Sequence, residues 1–313
     1  GSEMCIRDRF TEAMDSAEQH LWKNVTVVPH APSLSVVVSS MGHGRSHVSL
    51  EHLACFSGGM MALGSRIVPD RRHYLNIARM TTETCYWGYN SSLTGLGAEA
   101  LEFYHPQDKD LYRVVTEADG TRHRGPPVGD PFVGVRYIWH EDYRNRPEVI
   151  ESVLYMWRTT GDPVWQERGW QMFASWMTHC LTRSGTSTIY DVNAVPVRHS
   201  DSMESFVLAE TFKYYYLLFS PPDLVSLDDF VFSTEAHPFL LPRAGRWARA
   251  GDVPASFPRI DRRFPAILRP RGQGTPMQRG LWEAQRQASG KTARLREVLW
   301  AEVNDTGAVV PVA

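Results

Sequence analysis

The hydrophobic positions of this chain recur with a helical period over most of its length. Between Pro147 and Gly161, four apolar residues fall on one face of a helix, and the proline and the glycine mark its start and stop. The same pattern predicts helices over residues 50–63, 72–89, 147–160, 163–182 and 200–219. Few segments alternate as strands do. The predicted fold class is therefore all-α, with helices stacked pairwise in a toroid rather than in a four-helix bundle.

The composition is that of a globular protein with a large core, at 313 residues and 42% hydrophobic content. The many aromatic residues fit either such a core or surfaces that stack on sugar rings. Residues 243–313 hold thirteen Lys/Arg and six Asp/Glu, which leaves twenty and twenty-nine for residues 1–242. This acidic front is compatible with a hard cation bound through oxygen ligands, and it argues against nucleic acid as a partner.

The chain divides into three segments. Residues 1–9 fit neither a helix nor a leader and resemble translated foreign sequence, so we set them aside as non-native. Residues 10–242 carry the helical pattern and form the predicted domain. Residues 243–313 are basic and contain Pro and Gly without periodicity, which predicts a largely disordered tail with one short helix near residues 281–300. No stretch reaches the roughly 18 apolar residues that span a bilayer.

Two carboxylates lie at the start of the helix predicted over residues 147–160. Glu148 and Glu151 are three residues apart, so both project from one face of the first turns, where the helix dipole favours their ionised form. Such a pair can share a cation or hold a water molecule, although an acidic turn facing solvent has the same spacing. Arg146 adds a fork-shaped donor suited to sugar hydroxyls or to a carboxylate.

Further candidates are spread along the chain. Phe206 and Glu210 are four residues apart on one helix, where an aromatic face beside a carboxylate can seat a pyranose ring or simply belong to the core. Glu99 follows a glycine-rich turn and points either into a pocket or into water. Thr234 offers a hydroxyl and a carbonyl, both hard oxygen donors, with Glu235 beside it.

Seven short segments bring these residues into one order. They are HLACFSGGM (52–60), ETC (83–85), TGLGAE (94–99), RPEVIES (146–152), GW (169–170), the segment 202–219 and FSTEAHP (232–238). Together they resemble glycoside hydrolase family 47, the class I α-1,2-mannosidases of the endoplasmic reticulum and Golgi, over roughly residues 48–240. One departure from the family pattern is Asn145, which stands where leucine is common.

The resemblance implies a fold and a set of roles. The family fold is an (α/α)7 barrel with Ca²⁺ at its base, of which this chain would carry about the C-terminal four hairpins. Glu148 matches the general base, and Thr234 matches the residue that gives its hydroxyl and carbonyl oxygens to calcium. The other matches are carboxylates around the sugar and the calcium-bound waters, and sugar-contacting residues: Glu99, Glu151, Glu210 and Glu235, and Arg146 and Phe206.

The resemblance also implies an activity. It is that of an inverting, calcium-dependent mannosyl-oligosaccharide 1,2-α-mannosidase that trims N-linked oligomannose glycans on glycoproteins in the lumen of the secretory pathway. The general acid of the family and the membrane anchor expected in a complete protein have no counterpart in this chain. The alternative is a degradation-sorting relative that binds mannose glycans without trimming them.

A disulfide between Cys55 and Cys85 is implied as well. It would tie two consecutive helices together and requires an oxidising compartment. Degradation-sorting relatives usually lack this pair, whereas Cys180 would be free and buried.

Overall fold

The structure is a computed structural model. It describes residues 2–25, 34–40, 46–68, 70–103, 114–116, 120, 122–124, 135–241, 301–303 and 309–311.

Helices build the centre of the fold. Their bounds are α1 (Ser2–His20), α2 (Phe56–Ile67), α3 (Tyr74–Asn90), α4 (Glu148–Thr160), α5 (Val164–Cys180) and α6 (Phe212–Leu218). A 3₁₀ turn, His52–Cys55, leads into α2, and a π-helix, Val207–Thr211, runs into α6. Helix α4 starts directly after Pro147 and stops at Gly161, whose φ of 68° is left-handed, which confirms both predicted signals.

Short strands flank the helices. They are β1 (Trp22–Asn24), β2 (Ser35–Val37), β3 (Ser39–Ser40), β4 (Ser46–His47), β5 (Ser49–Glu51), β6 (Ala100–Phe103), β7 (Val114–Thr116), β8 (Arg122–Arg124), β9 (Val135–His140), β10 (Phe230–Phe232), β11 (Pro238–Leu240), β12 (Ala301–Val303) and β13 (Val309–Pro311). All pairs are antiparallel: β5, β6 and β9 form one three-stranded sheet, and the others pair as β1–β2, β3–β4, β7–β8, β10–β11 and β12–β13.

Helix α4 lies at the centre, in contact with α2, α3, α5 and α6. Gly59 of α2 allows the closest approach, because a Cβ there would lie 2.9 Å from Cδ2 of Tyr155 and 3.3 Å from Cα of Ser152. The Gly59 amide donates to Ser152 Oγ (2.9 Å), and that hydroxyl donates to the Cys55 carbonyl (2.7 Å). These bonds hold the start of α4 against the residues that precede α2.

The predicted helices are confirmed in position, with two corrections at their starts. Residues 49–51 pair with β6, where Leu50 faces Leu101, so α2 begins only after them. The helix predicted over residues 200–219 begins near Phe206. The segment before it is held extended because the Ser200 amide donates to the Thr188 carbonyl and the Thr188 amide donates to the Ser202 carbonyl. The expectation of few strands is also wrong, because the segments that connect the helices pair with each other as short antiparallel strands.

The chain ends differ from the sequence interpretation in one respect. Residues 2–9 are helical within α1, because Phe10 and Met14, one turn apart, pack against the core and anchor that helix. The tail and its predicted short helix lie outside the described residues, apart from the hairpin of β12 and β13. Among the described helices, none combines the length and the apolar character that crossing a membrane requires. The closed (α/α)7 barrel stays a prediction.

Candidate active site

Glu148 is the first residue of α4, and a histidine holds it. His52 Nδ1 lies 2.9 Å from Glu148 Oε2, and His52 Nε2 lies 2.6 Å from the Tyr89 hydroxyl. A carboxylate only accepts hydrogen bonds, so His52 Nδ1 carries a proton and donates it to Glu148 Oε2. Burial alone would raise the pKa of Glu148, but the bond to His52, the charge of His52, the helix backbone and Arg146 together lower that pKa below its usual value.

Glu151 lies one turn further along α4 in a different environment. Its side chain is buried, and its Oε1 accepts a hydrogen bond of 2.6 Å from the Tyr214 hydroxyl of α6. Burial raises the pKa of Glu151 to about 8, and the charges of Glu210 and Glu148 act in the same direction. Without a nearby cation, Glu151 is therefore mostly protonated at neutral pH.

Glu210 faces these two carboxylates from the π-helix. Isolated π-turns are rare and occur often at functional sites. Burial raises the pKa of Glu210, the charges of Glu148 and Glu235 raise it further, and Lys213 opposes the shift. The charges of carboxylates on two other segments, α4 and the turn after β10, thus reach Glu210.

The turn between β10 and β11 carries the fourth carboxylate. Thr234 and Glu235 are exposed in it, and Ala236, with φ of 56°, is buried. Lys213 Nζ donates to the Ala236 carbonyl at 2.7 Å, which ties this turn to α6. The Thr234 hydroxyl and carbonyl make no hydrogen bond to any residue that the structure describes. The two hard oxygen donors of Thr234 are therefore free of hydrogen bonds to the described residues, and Glu235 is the next residue along the chain.

A second group lies on the approach to α4. Arg146 Nε contacts both carboxylate oxygens of Glu99, at 2.9 and 2.7 Å, and its guanidinium carbon lies 5.8 Å from the centre of the Phe206 ring. The Glu99 carbonyl accepts a hydrogen bond of 3.0 Å from the His52 amide. Arg146 thus connects the Glu99 loop to the helix that begins with Glu148.

Asn145 explains why Arg146 is placed there. It is fully buried and left-handed, with φ of 60°, a conformation that asparagine tolerates far better than leucine. Its Oδ1 accepts from Trp176 Nε1 at 2.6 Å, and its carbonyl accepts from the Thr211 hydroxyl at 2.8 Å. Asn145, the residue that departs from the family pattern, therefore links α5 and the π-helix to the start of α4.

The structure brings together the residues that the sequence singles out. Glu148 and Glu210 raise the pKa of Glu151, and Glu148 and Glu235 raise that of Glu210. Thr234 adjoins Glu235, and the neighbouring group consists of Glu99, Arg146 and Phe206. Sequence reasoning did not assign roles to four residues that support them: His52, Tyr89, Lys213 and Tyr214. His52 opens the HLACF segment and Lys213 follows Glu210 by three residues, so these two had a signal. The tyrosines had none.

The predicted disulfide is present, with Cys55 and Cys85 joined across the start of α2 and the middle of α3. Cys180 is free and buried, as expected. In the described part of the chain, one group of metal-ligand side chains has its ligand atoms within 4.8 Å of one another: Asp15, Glu18 and His73. Asp15 there is already bonded to Arg71, at 3.0 and 2.7 Å, so this group is a structural ion-pair cluster.

Comparison with known proteins defines the class. The model of glycosyl hydrolase family 47 matches residues 1–241. The chain therefore belongs to glycosyl hydrolase family 47, a family of glycoside hydrolases.

Its relatives are named as mannosidases. The chain is 36% identical to the human mannosyl-oligosaccharide 1,2-alpha-mannosidase IC over 239 residues. These matched residues cover 76% of this chain and 33% of the relative. It is 38% identical to the mannosyl-oligosaccharide 1,2-alpha-mannosidase IA of Sus scrofa, with 76% and 32% covered. The solved structure of the alpha-1,2-mannosidase from Trichoderma reesei matches with a TM-score of 0.62 and 30% identity, covering 75% of this chain and 47% of that one. The chain spans about a third of the length of these two curated relatives.

Proposed function

We propose that this chain carries the general base and the calcium-binding residues of an inverting α-1,2-mannosidase that trims N-linked oligomannose glycans in the secretory pathway. The observation that carries the proposal is the electrostatic split within α4. Glu148 is kept ionised by His52, whereas Glu151 and Glu210 have raised pKa values in a crowded acidic region. An ionised, partly buried carboxylate is what a general base requires.

The reaction step assigned to Glu148 is proton removal from water. In an inverting mechanism the water oxygen attacks the anomeric carbon, the glycosidic bond breaks, and the carboxylate takes the water proton. His52 engages only Oε2 of Glu148 and fixes the orientation of the group. Arg146, Glu99 and Phe206 would orient the sugar ring beside it. We assign no residue of this chain as the acid that protonates the leaving oxygen.

The donor set around Thr234 fits calcium. Calcium takes six to eight oxygen ligands, and the free hydroxyl and carbonyl of Thr234 are of this type. The negative charges of Glu148 and Glu235, which add to burial in raising the pKa of Glu210, support a preference of this region for a positive charge. Bound calcium would supply a hard positive charge for sugar hydroxyls. Among the described residues, the carboxylates near Thr234 do not bring three ligand atoms within 4.8 Å of one another, as Asp15, Glu18 and His73 do. Water molecules would therefore complete the coordination shell of a calcium ion bound there.

A thermal-shift measurement tests the assignment. Calcium at a hundredfold excess over its Kd should stabilise the chain by about 2.7 kcal/mol, which is roughly 5 to 10 °C for a domain of this size. The mannose-mimicking inhibitor 1-deoxymannojirimycin should enlarge this shift. Thr234→Val, which removes the hydroxyl and keeps the carbonyl, should reduce the calcium shift, and Thr178→Val, on α5, should not. An equal calcium shift in the Thr234 variant would refute the metal assignment.

The alternative function predicts binding without trimming. The Cys55–Cys85 disulfide favours the enzyme, since degradation-sorting relatives usually lack it. Release of mannose from an α-1,2-linked oligomannose glycan in calcium, lost in Glu148→Gln, would establish trimming by this chain. Glycan binding with no release by either protein would support the alternative.

A further inference from the structure

Two clefts adjoin the candidate active site and share part of their walls. Their volumes are about 610 and 620 Å³, and Trp139, His140 and Arg144 line both. The first cleft is also lined by His52, which holds Glu148, and by Glu99, which holds Arg146. Ligand sites commonly enclose about 300 to 1,000 Å³. Because the two clefts share three lining residues, they form one continuous surface, which reaches the candidate active site at His52 and Glu99.

Trp139 stands in this surface with its ring fixed. It is 52% exposed, an unusual position for the largest apolar side chain. Its Nε1 donates to Glu102 Oε2 at 2.9 Å, and buried Glu102 also accepts from Arg136 at 2.9 Å and contacts His47 at 3.3 Å. These bonds hold the edge of the indole against β6, so the ring cannot turn inward.

Tyr137 extends the aromatic surface. Its ring lies 5.0 Å from the Trp139 ring at 78°, and it is 56% exposed. The two rings lie on the same side of β9, because their centres are only 5.0 Å apart. They form what we call the stacking platform.

The remaining lining selects the kind of ligand. The second cleft carries Glu141, Asp142 and Glu204 against one arginine, which disfavours anions. Its Thr188, Ser200 and Ser202 offer hydroxyl groups, which suit a polar, uncharged partner better than an apolar peptide. Aromatic faces beside scattered hydrogen-bonding groups match a neutral sugar, whose ring has C–H groups on one face and hydroxyls at its edge.

We propose that the stacking platform of Tyr137 and Trp139 binds the mannose residues that follow the terminal one, and so sets how much of a glycan this site recognises. The inference rests on the proposed function, because the terminal sugar must lie at Glu148 for its neighbours to reach the platform. Trp139 is then a specificity-determining residue that touches substrate without taking part in proton transfer.

Isothermal titration in calcium tests this with two ligands. One is a thio-linked α-1,2-trimannoside, which resists cleavage, and the other is 1-deoxymannojirimycin, which reaches only the terminal-sugar position. Trp139→Ala should weaken trimannoside binding about tenfold, which corresponds to about 1.4 kcal/mol, and leave inhibitor binding unchanged. Trp139→Phe keeps a stacking ring and should retain most of the affinity. Tyr216→Ala removes an equally exposed aromatic residue that lines neither cleft, and should change neither affinity.

The outcomes separate this inference from the proposed function. Unchanged trimannoside affinity in Trp139→Ala overturns the inference and leaves the proposed function standing. An equal loss for both ligands, with a lower melting temperature of the free protein, shows that the ring packs against protein and also overturns it. An unsubstituted chain that binds neither ligand overturns the proposed function and the inference together.

Discussion

The charge state of Glu151 gives the sharpest test of the site. The buried carboxyl has its pKa raised from 4.5 to about 8. At about 1.36 kcal/mol per pKa unit, this corresponds to about 5 kcal/mol of unfolding free energy at most. Because the folded pKa lies above the unfolded one, this stability is complete below about pH 4.5 and is lost as the pH rises through about 8.

Glu151→Gln removes the ionisation and keeps the shape. The glutamine oxygen still accepts the hydrogen bond from Tyr214, so the packing of α4 against α6 is preserved. Relative to the unsubstituted chain, the variant should therefore gain stability steadily between pH 5 and pH 8.5 in the absence of calcium. Urea unfolding at four or five pH values, followed by circular dichroism, measures this difference.

The control is Glu167→Gln, which changes an exposed glutamate in the first turn of α5. Its unfolding free energy should follow that of the unsubstituted chain at every pH. If Glu151→Gln and Glu167→Gln show the same pH dependence, Glu151 is not held neutral by its surroundings. The acidic region then has no electrostatic need for a cation at Glu151.

Three further predictions follow from the packing and the cross-links. Gly59→Ala should destabilise the chain by about 1 to 3 kcal/mol, because its Cβ meets α4; Gly88→Ala, whose Cβ meets only Leu50 at 3.4 Å, should not, and chemical unfolding compares them. Removing the disulfide as Cys55→Ser/Cys85→Ser should cost about 3 to 4 kcal/mol for its 30-residue separation, and unchanged urea unfolding would contradict this. Lys213→Met removes the hydrogen bond from Lys213 to the Ala236 carbonyl, which anchors the turn that carries Thr234. Calcium titration should therefore show weaker binding in Lys213→Met than in Lys213→Arg, and equal affinities would exclude this anchoring role.

The sequence predicted the helices better than it predicted their contacts. Helix α4 follows from Pro147, Gly161 and one apolar face, which are local signals. The different surroundings of Glu148 and Glu151 do not follow from them, because the partners come from 96 and 63 residues away in the chain. The spacing predicts that both carboxylates lie in the first turns of the helix, where the helix dipole lowers the pKa of each. This local effect alone gives no difference between the two pKa values.

The connecting segments were harder to predict for a similar reason. Ser200 and Asp201 are residue types that commonly cap the start of a helix, and the structure instead pairs residues 198–202 with residues 188–190. Backbone hydrogen bonds to a distant segment outweigh a cap that contributes about 1 kcal/mol. The role of Asn145 was hidden likewise, since its buried contacts with Trp176 and Thr211 become visible only when α5 and the π-helix lie against it.

The opposite shifts of Glu148 and Glu151 bear directly on how calcium and catalysis would be linked. A cation near Thr234 would favour the ionised forms of Glu210 and Glu151, whose pKa values are raised partly by neighbouring negative charge. Glu148 is already ionised through His52 and does not need the cation for its charge. Loss of calcium should therefore weaken binding of the sugar, while Glu148 stays ionised. At neutral pH Glu148 should therefore stay ionised with and without calcium, whereas the pKa of Glu151 should rise when calcium is removed.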